Sequence, residues 1–405
     1  MQQEEYLHLR LTRDDNSTLR QECIQALREQ IPTLRYSAYF DYGSYGPALD
    51  LVLASMFNAH EQLHRLGPSS AGAALWAEEQ VETARLVVAT EFHALPEQVA
   101  FGPSAWALLN AVLWGIAWRP GDHLVVSSAE HPATLAAVAN LQSRLSVDVA
   151  LWNGARLPED EILPSLSDTL KSTTRLLVVS HVLWSTGEVL PVRSIGKHCQ
   201  SRTGGPPVAV LVDGTQSFGA IPFAVGELRA DYFVCPMHKW CCGPDGLGVL
   251  FAREPESLLP TFAGWRSISG QMKPSKGIHR LEIGTPPYAA SAGLREALLV
   301  HEQTASAEQR HATLQLRRRR LRLGLESIAA RTSRVELVTP AAFESGILSF
   351  RLRSKAHQEM VSRLEAANVL VRAIADPACV RVCIHYFTTD EEIDLLLQAV
   401  EDFAA

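Results

Sequence analysis

Short runs of Val, Leu and Ile, each closed by a turn-like or polar segment, alternate with longer helical stretches from about residue 80 to residue 255. No other feature restricts the fold of this chain as strongly, because such alternation is the pattern of strand–helix–strand units. The candidate strands are Val99–Phe101, His123–Ser127, Arg175–Ser180, Val208–Asp213, Asp231–Cys235 and Gly248–Ala252. Several are apolar without alternation, as strands buried on both faces must be, which predicts a mostly parallel sheet covered by helices and hence an α/β fold.

The flanking segments read differently. From about Pro286 to Arg331 the periodicity predicts long helix, and GILSFRLR, VLVRAI and VRVCIHYF before a final amphipathic helix predict a small α+β unit. Residues 1–48, including LRYSAYFDYGSYGPAL, have too little apolar periodicity to stand alone and are expected to pack on the larger units. The expected division is therefore 1–48, a large domain over 49–295 and a small C-terminal domain over 296–405. Arg317–Arg320 read as the solvated side of a helix whose inner face carries Leu314, Leu321, Leu325 and Ile328.

Composition removes several function classes. Lys+Arg 37 against Asp+Glu 44 leave a net charge of -7, which gives no bulk attraction to nucleic acid or anionic lipid. Every apolar stretch breaks at a charge, His or Pro before it could span a bilayer, so no membrane association is expected. The 7 cysteines lack CxxC spacing and the acidic start MQQEEYLHLR has no apolar signal region, which together predict a cytoplasmic protein.

The most informative stretch is Val208–Ala252, VAVLVDGTQSFGAIPFAVGELRADYFVCPMHKWCCGPDGLGVLFA. A buried strand delivers Asp213 at its C-terminal end, the edge at which open α/β sheets bind ligands. The next apolar run ends at His238–Lys239, ahead of a glycine-rich turn. An acid and a lysine at strand ends of one sheet suit a pyridine cofactor whose aldehyde is held by the lysine and whose ring nitrogen is held protonated by the acid. Lys171, Lys197, Lys273, Lys276 and Lys355 all sit in polar or loop-like contexts, leaving Lys239 as the candidate. Gly243, Gly246 and Gly248 precede a strand instead of opening a helix, which argues against a dinucleotide loop. Cys379, Cys383 and His385 alternate along one strand face, a pattern more often structural than metal-binding.

HKWCCGPDGLGVLF resembles the HK-x(3,4)-GP-x-G-x-G signature of the class V aminotransferase family of pyridoxal-phosphate (PLP) enzymes, with Asp213 at the family's spacing before Lys239. The resemblance extends over nearly the whole chain and implies fold type I, a large domain with a mostly parallel seven-stranded sheet plus a small α+β C-terminal domain, and PLP as cofactor. It implies that Lys239 binds the cofactor covalently, Asp213 pairs with the pyridinium, Gln216 meets the ring hydroxyl and His238 helps hold the phosphate. FGPSAWALLN is similar to the phosphate-cradling turn, which assigns Ser104 and the N–H of Ala105, and SAEHPAT is similar to the segment whose histidine stacks on the ring, which assigns His131. LEIGTPPY resembles the segment that reaches the partner's phosphate in family homodimers, which assigns Thr285. VRVCIHYFTTDEEID assigns Arg381 to the substrate carboxylate, with Ser44 and Trp265 as further substrate-binding candidates.

Three departures bear on the reaction. Trp184–Ser185 stand where many cysteine desulfurases have an Asn beside the ring hydroxyl, and Pro236 stands where a phosphate-binding Ser often lies. The desulfurase loop that carries a nucleophilic cysteine is shortened to Val371–Cys379, which ends two residues before Arg381. With HKWCCGP and GWRSI, the short loop most resembles the cysteine/cystine C–S lyase branch. The expected reaction is therefore β-elimination from cystine, cysteine or a related S-substituted cysteine, giving pyruvate, ammonia and a thiol or persulfide. The alternatives are a cysteine desulfurase, or an epimerase or aminotransferase of the same family.

Overall fold

The computed structural model describes residues 21–269, 272–353 and 357–404. The first twenty residues of the N-terminal segment and Lys355 lie outside the described residues. A helix over Gln21–Glu29 leads to the short strand β1 (Ala38–Tyr39), and two helices, Asp50–Leu66 and Ala71–Phe92, precede the main sheet.

That sheet contains β2 (Val99–Gly102), β3 (His123–Ser127), β4 (Asp148–Trp152), β5 (Thr174–Ser180), β6 (Ala209–Asp213), β7 (Tyr232–Pro236) and β8 (Gly248–Ala252). Its order is β2-β8-β7-β6-β5-β3-β4. The neighbours from β4 to β7 pair in parallel, and β8 alone runs against both of its neighbours. Successive residues point to opposite faces, so Leu124 and Val126 join one core and Val125 the other, as do Val178 against Leu177 and Val179. Each such side chain contributes about 1.5–3 kcal/mol by leaving water, which is why these runs are apolar at every position.

The expected fold class, a mostly parallel seven-stranded sheet in an α/β protein, is the observed one. The individual strand readings omitted β4. As an edge strand with a single neighbour and Leu151 60% exposed, β4 has no need of a continuous apolar run. The expected single helix over 286–331 is two helices, Tyr288–Thr304 and Ala307–Thr332. Ser306 breaks it through a capping box: its Oγ accepts from Gln309 N–H at 3.2 Å, and Gln309 Oε1 accepts from Ser306 N–H at 3.1 Å. The arginine run is not uniformly solvated either. Arg318 is only 5% exposed because it shares the inward face of its helix with Leu314 and Leu321, whereas Arg317 and Arg320 reach Asp390 and Asp394.

Beyond these helices come β9 (Val335–Leu337), β10 (Ile347–Leu352), β11 (Val369–Leu370), β12 (Arg372–Ile374) and β13 (Cys379–Cys383). Four of them form an antiparallel sheet in the order β12-β13-β10-β9, while β11 pairs in parallel with β1 through Ala38↔Val369. Ala38 and Phe40 consequently belong to the C-terminal core with Phe350, Val380 and Leu396. Ile24, Leu27 and Ile31 pack in another cluster with Trp240, Tyr386 and Phe387. The N-terminal segment is thus shared between the large sheet's lysine-bearing turn and the C-terminal unit. No helix among the described residues is long and apolar enough to cross a membrane.

Candidate active site

The parallel strands end at one edge of the sheet. Ser180 closes β5 directly beside Asp213, which closes β6, and β7 runs out two residues before His238–Lys239. These ends surround a cavity whose walls include His131, Asp213, Gln216 and Lys239, together with Trp106, Ser180, Val182, Trp184 and Thr215. Four of the residues singled out from the sequence therefore meet in one space.

Asp213 is buried, and among the described residues only its Oδ1 is in a hydrogen bond, accepting from Thr215 N–H at 2.8 Å. Burial pushes its carboxyl above the usual range, against the pull of the Thr215 bonds and of Lys239. Glu130 lies beside it and bonds Ser180 through both N–H and Oγ, each at 2.6 Å. Burial and the nearby Asp213 push Glu130 up to about 8, so at neutral pH Glu130 stays protonated. The Lys239 amine makes no hydrogen bond or ion pair with a described residue. Burial first, and Arg381 second, bring its pKa down to about 8. Its backbone is held by close packing: a Cβ on Gly46 would lie 1.9 Å from the Lys239 carbonyl oxygen, so only glycine fits there.

His131 caps the helix Pro132–Arg144, with Nδ1 accepting from Ala133 N–H at 3.1 Å. Its ring lies 4.9 Å from Trp106 at 30° and 4.8 Å from Trp184 edge-on, and burial lowers its pKa to about 4. The ring is accordingly neutral and apolar-faced toward the cavity. Gln216 is fixed at both ends, donating to Gly43 O and accepting from Trp240 Nε1, both at 2.9 Å.

Arg381 and Ser44 stand together next to this space. Arg381 Nη2 donates to Ser44 Oγ at 2.6 Å and to Asp41 Oδ1 at 2.9 Å, while Nη1 donates to the Trp184 carbonyl at 2.9 Å. Its Nε is buried without a partner among the described residues. The other Asp41 oxygen accepts from Arg372 Nε at 3.0 Å, so one carboxylate steadies two guanidinium groups. Sequence reasoning missed Asp41, Arg372, Trp106 and Glu130. Asp41 was within reach of it, since it stands three residues before Ser44 in a glycine-rich segment too polar for a core.

The remaining predicted residues are not in the cavity wall. Ser104 caps the helix Ala105–Gly115 by accepting from Ala107 N–H at 3.1 Å, and Gly248 lets β8 start against it, because a Cβ there would lie 2.5 Å from Ala105 N. His238 packs on Tyr45 at 5.1 Å, just beyond the lining. Trp265 is 66% exposed beside Arg266 and His279, and Thr285 is exposed as well. The stretch that carries them is anchored through buried Glu282, which takes Phe101 N–H at 2.9 Å and Arg85 at 2.8 Å.

The donor set fits PLP. A carboxylate with one free oxygen, an unpartnered amine poised near neutrality and a flat neutral ring are what a protonated pyridine bearing an aldehyde would engage, with a helix N-terminus nearby for its phosphate.

The comparisons agree. C-DES, described as a cystine C–S lyase in complex with its reaction product cysteine persulfide, superposes with a TM-score of 0.87 at 32% identity over 92% of this chain and 99% of that one. A lysine-to-alanine mutant of C-DES with glycine covalently linked to the PLP cofactor matches at the same TM-score and identity over 93% and 99%. A "Probable cysteine desulfurase" of Mycolicibacterium paratuberculosis is 30% identical over 426 residues, covering 94% of this chain, and the chain spans 58% of that relative's length. The profile described as "Aminotransferase class-V" matches residues 38–396, and the chain belongs to that family.

Proposed function

We propose that the protein is a PLP-dependent carbon–sulfur lyase that performs β-elimination on cystine or a related S-substituted cysteine. Bound in the cavity, the cofactor supplies an electron sink for the bond to the substrate's α-proton. Lys239 Nζ, half deprotonated near pH 8, takes that proton, and the Asp213 carboxylate holds the ring nitrogen in its protonated form. His131, neutral and braced by two tryptophans, covers one ring face and excludes water from it. Arg381, steadied by Asp41 and Ser44, retains an unpartnered buried Nε for the substrate carboxylate. Sulfur then leaves Cβ, and the remaining unsaturated amine hydrolyses to pyruvate and ammonia. A disulfide is the better substrate because a persulfide leaving group has a lower pKa than a thiol. Cystine also carries a second carboxylate, and Arg372 offers a second guanidinium on the far side of Asp41.

The observation that carries the lyase reading over the desulfurase is the state of the two cysteines nearest Arg381. Cys379 is fully buried and paired with Ile374 on a strand, not carried on a mobile loop. Cys383 is fully buried too, and burial pushes its thiol up to about 11. A buried, protonated thiol is a poor nucleophile. Cys379→Ala and Cys383→Ala are each expected to keep turnover with cystine within about threefold of wild type, since no thiol attacks sulfur. Loss of turnover in the Cys379 variant, with retained fold, would support the desulfurase instead.

The site is shared across a homodimer, with Thr285 reaching the phosphate in the partner's site; its exposure in one protomer leaves it available for that role. Chains carrying Lys239→Ala and chains carrying Thr285→Ala, each nearly inactive, should recover about a quarter of wild-type activity when unfolded and refolded together, because half the dimers are mixed and each has one intact site. A fully active monomer would contradict this.

A further inference from the structure

We infer that His301 and His385 are positioning residues for the turn that carries Lys239, an inference that rests on the PLP reading above. Trp240 and Cys241 follow Lys239 in a turn whose side chains are buried. The Trp240 carbonyl lies 2.8 Å from His385 Nε2, and the Cys241 carbonyl lies 2.9 Å from His301 Nε2. A carbonyl only accepts, so both rings carry their proton on Nε2. The lone pair left on His301 Nδ1 then receives the Tyr386 hydroxyl at 2.7 Å.

The two donors come from separate parts of the fold. His301 sits on the helix Tyr288–Thr304, and His385 stands two residues beyond β13. Their rings stack at 5.9 Å and 28°, and His385 stacks on Trp240 at 6.1 Å and 23°, so neither can swing away from its carbonyl. Trp240 in turn holds Gln216 in the cavity wall. Burial drives both histidines far below their ordinary range, Arg310 adds to the effect on each and the His301 ring adds to it on His385, so the rings remain neutral and the clamp does not open with pH. A leucine would fill the same space but would leave a buried carbonyl without a donor. The backbone after Lys239 is thereby fixed, and only its side chain is free to move between cofactor and substrate. Neither histidine lines the cavity, so their effect reaches the reaction only through Lys239 and Gln216.

The test uses the full-length, PLP-reconstituted enzyme with His301→Leu, His385→Leu, His301→Gln and His385→Gln, glutamine placing an amide N–H near the Nε2 position. The readouts are borohydride-trapped cofactor on Lys239 by intact mass, the pH midpoint of the visible absorption, and kcat and KM with cystine. The leucine variants should shift the midpoint by about half a unit or more and lower kcat by about tenfold or more with KM within about threefold, while glutamine restores most of both. Leucine variants with unchanged midpoint and kcat overturn the inference, as do glutamine variants as impaired as leucine. If a leucine variant lacks a melting transition, its glutamine counterpart decides: near-wild-type midpoint and kcat support the clamp, and their loss overturns it. A wild-type enzyme without trapped cofactor on Lys239 sinks the PLP reading itself, whereas a normal wild-type adduct beside unaffected leucine variants sinks the clamp alone.

Discussion

Lys239→Ala is expected to leave a folded chain that binds the cofactor without covalent attachment and turns over at least about 1,000-fold more slowly, since both the anchoring amine and the base for the α-proton are removed. Absorption spectra and intact mass after borohydride reduction, with steady-state rates, check it. Unchanged turnover would remove Lys239 from the chemistry. The wild-type amine adds a pH signature. Because burial and Arg381 hold Lys239 at about 8, below its ordinary value, cofactor attachment to the apoenzyme should quicken about tenfold per pH unit up to that point and then level off.

Asp213→Asn is expected to act in opposite directions on activity and on the stability of the cofactor-free protein. Activity should fall by about 100-fold or more, because a neutral amide cannot hold the ring nitrogen protonated. The sign of the stability change follows from the raised pKa of Asp213 in the folded state. A carboxyl whose folded value exceeds its unfolded value favours folding below the unfolded pKa, and that contribution is lost as pH rises through the folded one. At pH 8, well above the unfolded pKa, the buried carboxyl therefore costs stability, and the apo Asn variant should melt at a higher temperature than apo wild type. The gap should close toward pH 4. A lower melting temperature for the variant at pH 8 would contradict the account of a carboxylate kept in the cavity for its partner.

Lys239 and Asp213 were legible in the sequence because both follow strands buried on two faces, whose apolar runs mark the sheet edge at which they emerge. What lies far apart in the chain was not. Asp41 and Arg381 are 340 residues apart, and nothing in either segment announces that one will neutralise the other. The histidine clamp was equally hidden, since a histidine that donates to a backbone carbonyl leaves no trace in the partner's identity. β4 escaped notice because an edge strand obeys a weaker pattern, and Arg318 read as solvated because a run of four arginines conceals which one faces inward. Trp265 and Thr285 are a different case: both are exposed within one protomer, and for Thr285 the proposed dimer would supply the site it reaches.

The central claim, elimination instead of sulfur transfer to an enzyme thiol, is tested most directly by the fate of the carbon skeleton. The purified, PLP-loaded enzyme is incubated with cystine, and pyruvate, ammonia, alanine and persulfide are quantified together with the mass of the protein. The account predicts pyruvate and ammonia in equal amounts, a small-molecule persulfide, no alanine and a protein of unchanged mass, in wild type and in Cys379→Ala alike. Alanine equal to the substrate consumed, with a sulfur atom added to the wild-type protein and an inactive Cys379→Ala variant, would contradict it.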